Sequence, residues 1–206
     1  MIKWHENVIN NIKTEKPYFM KIIGITGTIG AGKGTTVDYL VNNHGFKHYS
    51  VRNYLIQIAQ KENLPLNRDT YVMLANRLRE QHEPSFIIDE LYKEAFQNGA
   101  DAIIESIRTP GEITSLRNKD DFSLWAVDAE PNIRYERIFA RQSETDHISF
   151  ETFLANEKRE MNTDDPAKQN LTECIHQADK LFLNNGSVEE LNMQIEKAIT
   201  EENSRS

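Results

Sequence analysis

A nine-residue stretch, Gly27 to Thr35, reads GTIGAGKGT and constrains the chain more than any other segment. Gly27, Gly30 and Gly32 free the backbone to wrap closely around an anion, with successive N–H groups turned inward. Lys33 supplies a point charge, and a helix beginning there would present its positive dipole end to the same anion. Such a loop needs a buried strand before it and a helix after it. Met20–Gly27 is a short apolar, β-branched run, and Lys33–Asn43 sets Val37, Leu40 and Val41 on one stripe. Gly27, Thr28, Ile29, Gly30, Ala31, Gly32, Lys33, Gly34 and Thr35 are therefore expected to cradle the phosphates of a nucleoside triphosphate.

One position departs from the strict pattern G-x-x-x-x-G-K-[ST], whose last residue gives Mg²⁺ a hydroxyl. Here Gly34 stands in that place and Thr35 follows it. Mg²⁺ is expected to be held partly through water, with Thr35 the neighbouring hydroxyl.

Beyond the loop, apolar runs alternate with amphipathic ones. Phe46–Ser50, Asp101–Ser106, Phe122–Ala129 and Lys180–Asn184 read as four further strands. Arg52–Asn98 is helical in pattern, punctuated near Pro65 and at Pro84. Thr109 to Glu112 and Ser187 to Glu190 are capping boxes that open helices, and Pro110 suits a first helical position. Pro131 starts another helix, Ile148–Met161 is amphipathic, and Asn162–Gln169 reads as loop. Strands alternating with helices imply a three-layer α/β domain with a five-stranded parallel sheet covered on both faces. Residues 1–19 read as an extension and 20–203 as one domain.

Composition narrows the function classes. The chain has 206 residues and a net charge of −8, an acidic balance that argues against a dedicated nucleic-acid binder. A nucleotide site must then concentrate Lys and Arg locally. The single cysteine, Cys174, forms no internal disulfide and reads as a small buried apolar group, and the six histidines are too scattered for a zinc site. Nothing approaches the roughly 18 consecutive apolar residues of a membrane span, and the N-terminus lacks a secretory core. The expected setting is cytoplasmic and reducing.

The form G-K-G-T resembles the loop of the nucleoside monophosphate kinases, G-x-P-G-A-G-K-G-T, with Ile29 where that family often has proline. Ser50 to Leu55 is similar to the family segment that opens the acceptor-binding helices, with Asn53 in place of the usual Asp. Glu105-Ser106-Ile107-Arg108-Thr109-Pro110 resembles D-G-x-P-R or D-G-x-R-x-P. Arg134-Tyr135-Glu136-Arg137 with Arg141 resembles the R-x-E-R-x-x-x-R helix leading into the lid. Asp164 to Gln169, Ala178-Asp179 and Asn184 to Ser187 resemble a kinase-like P-loop subgroup related to phage deoxynucleoside monophosphate kinases and dephospho-CoA kinases.

The resemblance implies ATP- and Mg²⁺-dependent transfer to a small phosphorylated acceptor. Lys33 would hold donor phosphates, Glu105 would order metal water, and Arg108 would grip the acceptor phosphate. Arg52 would contact the acceptor, Arg137 and Arg141 would neutralise developing charge, and Asn185-Gly186 would pass the base. Residues 52–98 would bind the acceptor and 142–168 would form a lid-like segment. Bland alternatives stand beside these roles. Arg108 can cap a strand, Arg52 can be a solvated helix start, and the arginines of 134–141 can form a surface stripe. Asp164 and Asp165 can be a simple cap before Pro166. Dephospho-CoA kinase activity, and a nucleotide-binding regulatory protein without acceptor turnover, are the other readings the motifs leave open.

Overall fold

The computed structural model describes residues 20–119, 122–141, 148–161 and 169–204. Strand β1 (Ile22–Gly27) is buried at every position, as its unbroken apolar run demands of a strand covered on two faces. It lies at the centre of a sheet ordered β2-β3-β1-β4-β5, formed with β2 (Lys47–Ser50), β3 (Ala102–Glu105), β4 (Phe122–Asp128) and β5 (Lys180–Leu183). Every pairing is parallel, with Gly24 opposite both Ile104 and Leu124. The expected five-stranded parallel sheet is the one observed.

Successive residues of a strand face opposite sides, and the core divides accordingly. Ile23, Ile25, Ile103, Trp125, Val127 and Phe182 pack under α1 (Lys33–His44) and α9 (Val188–Asn203). Ile22, Ala102, Ile104 and Leu124 pack under α2 (Val51–Lys61), α3 (Arg68–Gln81), α4 (Phe86–Asn98), α5 (Pro110–Arg117) and α8 (Leu171–His176). The helical stretch, expected to be punctuated near Pro65 and at Pro84, is three helices broken at those places, with Asn67 capping α3 through Thr70 N–H. Helices α6 (Pro131–Arg141) and α7 (Phe150–Met161) complete the described elements.

Both capping boxes form, at Thr109/Glu112 and at Ser187/Glu190. Helix α8 is a difference from the sequence reading: its six residues fall short of two turns, too few to display a period. Of the lid-like segment only 148–161 lies within the described residues; Asp164 and Asp165, like 1–19, lie outside them. Among the described residues no helix is long and apolar enough to cross a membrane. Because all strands run one way, the loops after β1, β2, β3, β4 and β5 gather at one edge, where ligands bind in open α/β sheets.

Candidate active site

The loop after β1 is built by close approach. Gly27 has φ 135°, and a Cβ there would lie 2.0 Å from the Val127 carbonyl oxygen. Gly32 has φ 111°, and its Cβ would lie 2.3 Å from Nδ2 of Asn184. Only glycine meets both demands at either place. Gly34 is different: among the described residues a Cβ there would meet nothing within 4 Å. The missing hydroxyl is therefore not forced out by crowding from the described residues.

Three contacts brace the loop from outside. Thr28 Oγ1 donates to Asp128 Oδ1 at 2.7 Å, Asn184 Nδ2 donates to the Ala31 carbonyl at 2.8 Å, and Arg134 Nη1 donates to the Ile29 carbonyl at 3.4 Å. Arg134 is only 3% exposed; it also pairs with Glu157, donates to the Ala129 carbonyl and lies over Phe153. Of the three arginines expected to share a face of α6, the first is therefore a buried brace, not part of a surface stripe.

Lys33 folds over the loop and donates to the carbonyls of Gly27 and Thr28 at 2.9 and 2.8 Å. Burial is the first cause that lowers its pKa from 10.5 to about 8; Arg108 and Arg141 lower it too, against the opposing pull of Glu105 and Glu160. The fold thus brings Glu105 and Arg108, at and just after the end of β3, and Arg141, at the end of α6, to Lys33. Glu160, on α7, joins them without having been singled out in the sequence.

Glu105 ends β3 and accepts its hydrogen bond from His48 Nε2 of the neighbouring strand, at 3.0 Å. Burial alone would raise the carboxyl pKa, but His48, Lys33 and Arg108 outweigh it and the net shift is downward. Glu105 is thus an ionised carboxylate beside the phosphate loop. Ser106 next to it adopts φ 73°, a left-handed conformation uncommon for a residue with a side chain and often found where function fixes the backbone. It stands where the resembling motif has glycine. Through this turn Ser106 and Ile107 both donate their N–H groups to the Ile25 carbonyl, which sets Arg108 back towards the loop.

Arg108 Nη1 donates to Glu160 Oε2 at 3.0 Å and to Gln169 Oε1 at 2.7 Å. Its main chain is held separately, for the Glu112 carboxylate accepts the N–H groups of Arg108 and Thr109 at 2.7 and 3.1 Å. The other oxygen of Glu112 receives Arg79 of α3 at 2.9 Å, in a pair whose side chains are 2% and 0% exposed. Arg68, at the start of α3, pairs with the second oxygen of Glu160.

Arg137 donates to Asn184 Oδ1 at 3.4 Å and to the Gly186 carbonyl at 3.3 Å, and its Nη1 is buried with no hydrogen-bond partner among the described residues. Asn185 accepts the Glu130 N–H at 2.8 Å. The segment Asn184 to Gly186 is thus tied to Arg137 of α6, and through Asn184 to the phosphate loop. Arg52 is exposed, with its guanidinium 5.9 Å from the Tyr71 ring centre. Cys174 is buried, and burial with the nearby Glu112 and Glu173 pushes its thiol up to about 12, as suits an inert core group.

The residues fit the two groups that the loop implies. A glycine cradle, an ammonium and an arginine suit a polyphosphate. Among the described residues no cluster of three or more His, Cys, Asp or Glu can hold a metal by itself. Ionised Glu105, and Thr35 half-buried in the first turn of α1, suit a cation carried on the phosphates and bound through water.

Comparison with known proteins places this geometry. The AAA domain pattern matches residues 23–164. A UPF0200 protein of Methanococcus maripaludis is 30% identical over 176 residues, covering 82% of this chain and 90% of that one. The chain belongs to the UPF0200 family and carries an AAA domain. A second UPF0200 member, from Methanococcus vannielii, is 30% identical over 146 residues, covering 69% of this chain and 78% of that one. Among solved structures, TT1252 from Thermus thermophilus superposes with a TM-score of 0.60 at 22% identity, covering 89% and 98% of the two chains. A gluconokinase from Sinorhizobium meliloti gives 0.54 at 12% identity, covering 91% and 98%. A shikimate kinase from Bacteroides thetaiotaomicron gives 0.53 at 14% identity, covering 88% and 98%. This UPF0200 member has the fold of P-loop kinases.

Proposed function

We propose that this UPF0200 protein transfers the terminal phosphoryl group of ATP, with Mg²⁺, to a small phosphorylated acceptor, most fittingly a nucleoside or deoxynucleoside monophosphate. The observation that carries the reading is the convergence of Lys33, Glu105 and Arg108 at one sheet edge. An oxygen of the acceptor phosphate attacks the γ-phosphorus as the bond to the bridging oxygen breaks. That oxygen is already ionised, so no general base is required and positioning with charge neutralisation carries the rate.

Lys33 and the loop amides hold the donor phosphates, and Arg108 orients the acceptor. Arg141 faces the same region as Lys33 and spreads charge over the transferring group. Arg137, lodged against Asn184 and Gly186, fits the wall of the base site. Glu105 and Thr35 fit the water shell of Mg²⁺, which supplies charge neutralisation between the phosphates when bound. Arg52 lies at the start of the α2–α4 region, where the acceptor's base and sugar would dock.

The test is ADP release coupled to a reporter, run against every nucleoside and deoxynucleoside monophosphate and against dephospho-CoA. Stimulation by a nucleotide supports the reading, and stimulation by dephospho-CoA alone replaces the acceptor. ATP binding without stimulation by any acceptor overturns it in favour of a regulatory nucleotide-binding protein.

A further inference from the structure

Glu160 stands between two arginines in the place an acceptor anion would take. Its two oxygens are divided between two arginines from different elements: Oε1 faces Arg68 of α3, and Oε2 faces Arg108 after β3. The carboxylate is 18% exposed, and its charge reaches Lys33 as well. One planar anion bridged through separate oxygens by two guanidinium groups is the arrangement that arginines use for phosphate. Among the described residues, the charged side chains that act on Lys33 or pair with Glu160 are Lys33 itself, Arg68, Arg108 and Arg141 against Glu105 and Glu160. Such a cluster has charge to receive a dianion in place of a carboxylate.

Resting on the acceptor reading of Arg108 above, we propose that Arg68 is a second arginine of the acceptor-phosphate site, and that Glu160 is a built-in stand-in which the phosphate of the acceptor displaces. The ligand class is a phosphate monoester dianion. Arg68 belongs to the helical region that would hold the rest of the acceptor, so its pairing with phosphate ties that region to the reacting end. Glu160 makes the site selective, because a monoanion gains little by replacing one carboxylate with another. A dianion with tetrahedral oxygens can satisfy Arg68 and Arg108 together and release Glu160.

The experiment uses the full chain, saturated with ADP and Mg²⁺ at each variant's own measured affinity, and inorganic phosphate as the probe in a calorimetric titration. Glu160→Gln keeps the size of the side chain and removes the competing charge. It is expected to bind phosphate at least about tenfold more tightly than the wild type, a difference of about 1.4 kcal/mol. Adding Arg68→Ala to Glu160→Gln should abolish that gain, and Arg68→Lys should restore only part of it, since an ammonium lacks the planar fork. Loss of a nearby negative charge would by itself favour any anion, so it is the dependence of the gain on Arg68 that identifies the displaced pair. Unchanged or weaker phosphate binding in Glu160→Gln overturns the proposal, as does a tight-binding Glu160→Gln whose affinity is indifferent to Arg68→Ala. Failure here is separable from failure of the kinase reading. Acceptor-stimulated ADP release with no gain in Glu160→Gln removes only the stand-in, while a phosphate gain without stimulation by any acceptor removes the turnover.

Discussion

Lys33 is held in a place that disfavours its own charge. Burial and Arg108 bring its pKa down to about 8, so nucleotide affinity should change with pH in a defined direction. Below pH 8 the ammonium is present and attracts phosphate; above it the free protein must first recover a proton. Affinity for ATP is then expected to fall above about pH 8, by at most about tenfold per pH unit. Lys33→Met should bind weakly with no such slope. Stability runs the other way. Between pH 8 and 10.5 the unfolded chain holds a proton that the folded one has released, so folding gains from rising pH in that window. Lys33→Met should therefore be more stable than the wild type at neutral pH, with the gap closing towards pH 10.5. Parallel urea titrations at pH 7 and 10 check this, and a gap that widens with pH removes the account of Lys33. The phosphate loop was legible because its parts are contiguous and each has a distinct backbone or charge requirement. Arg108 and Arg141 could be read from their place after a strand and on a helix. Glu160, Arg68 and His48 could not: Glu160 reaches Arg108 across 52 residues of sequence, Arg68 reaches Glu160 across 92 and His48 reaches Glu105 across 57, through pairs that no local spacing marks.

The elements place these residues through buried polar links as much as through the apolar core. Thr109 and Glu112 looked like a capping box and are one, but Glu112 also seats the main chain of Arg108 and receives Arg79 from α3. Helix capping was readable from four consecutive residues; the inter-helix pair was not, since Arg79 in its own helix resembles any other surface arginine. Arg134 shows the same limit: a spacing that left a surface stripe open as an alternative conceals a strut between α6, α7 and the phosphate loop. The Arg79–Glu112 pair gives a test at this scale. Removing one partner leaves a buried charge, which typically costs about 3–5 kcal/mol, whereas removing both costs far less. Arg79→Met should thus destabilise strongly. The double variant Arg79→Met/Glu112→Gln should recover part of the loss in stability, yet it should still bind the acceptor more weakly, because Glu112 no longer fixes Arg108. Chemical denaturation of the single and double variants gives the coupling, and additive losses would show that the pair is not a unit.

At the scale of the molecule, alternating strands and helices foretold a parallel sheet with two covered faces, and that sheet is present. The order β2-β3-β1-β4-β5 was not legible, because the pattern within a strand does not name its neighbours and pairing is decided by how the helices pack. That order nonetheless makes the site. It sets β1 between β3 and β4, so the loop bearing Lys33 lies between the turn bearing Arg108 and the Asp128 that holds Thr28. A ligand in that crevice contacts loops from both halves of the sheet, and its binding energy must therefore appear as stability of the whole domain. ATP with Mg²⁺ at a hundred times its dissociation constant should add about 2.7 kcal/mol to the unfolding free energy. For a chain of this size each kcal/mol raises the melting temperature by roughly 2–4 °C, which gives an expected shift of roughly 5–11 °C. ADP should also protect at saturation, adenosine should protect far less because it has no phosphates for the loop, and Lys33→Met should lose most of the shift. Differential scanning calorimetry across a range of ATP concentrations supplies the measurement. A shift as large with adenosine as with ATP would mean that the affinity comes from the base, and that the Gly27–Thr35 loop is not the phosphate cradle its backbone describes.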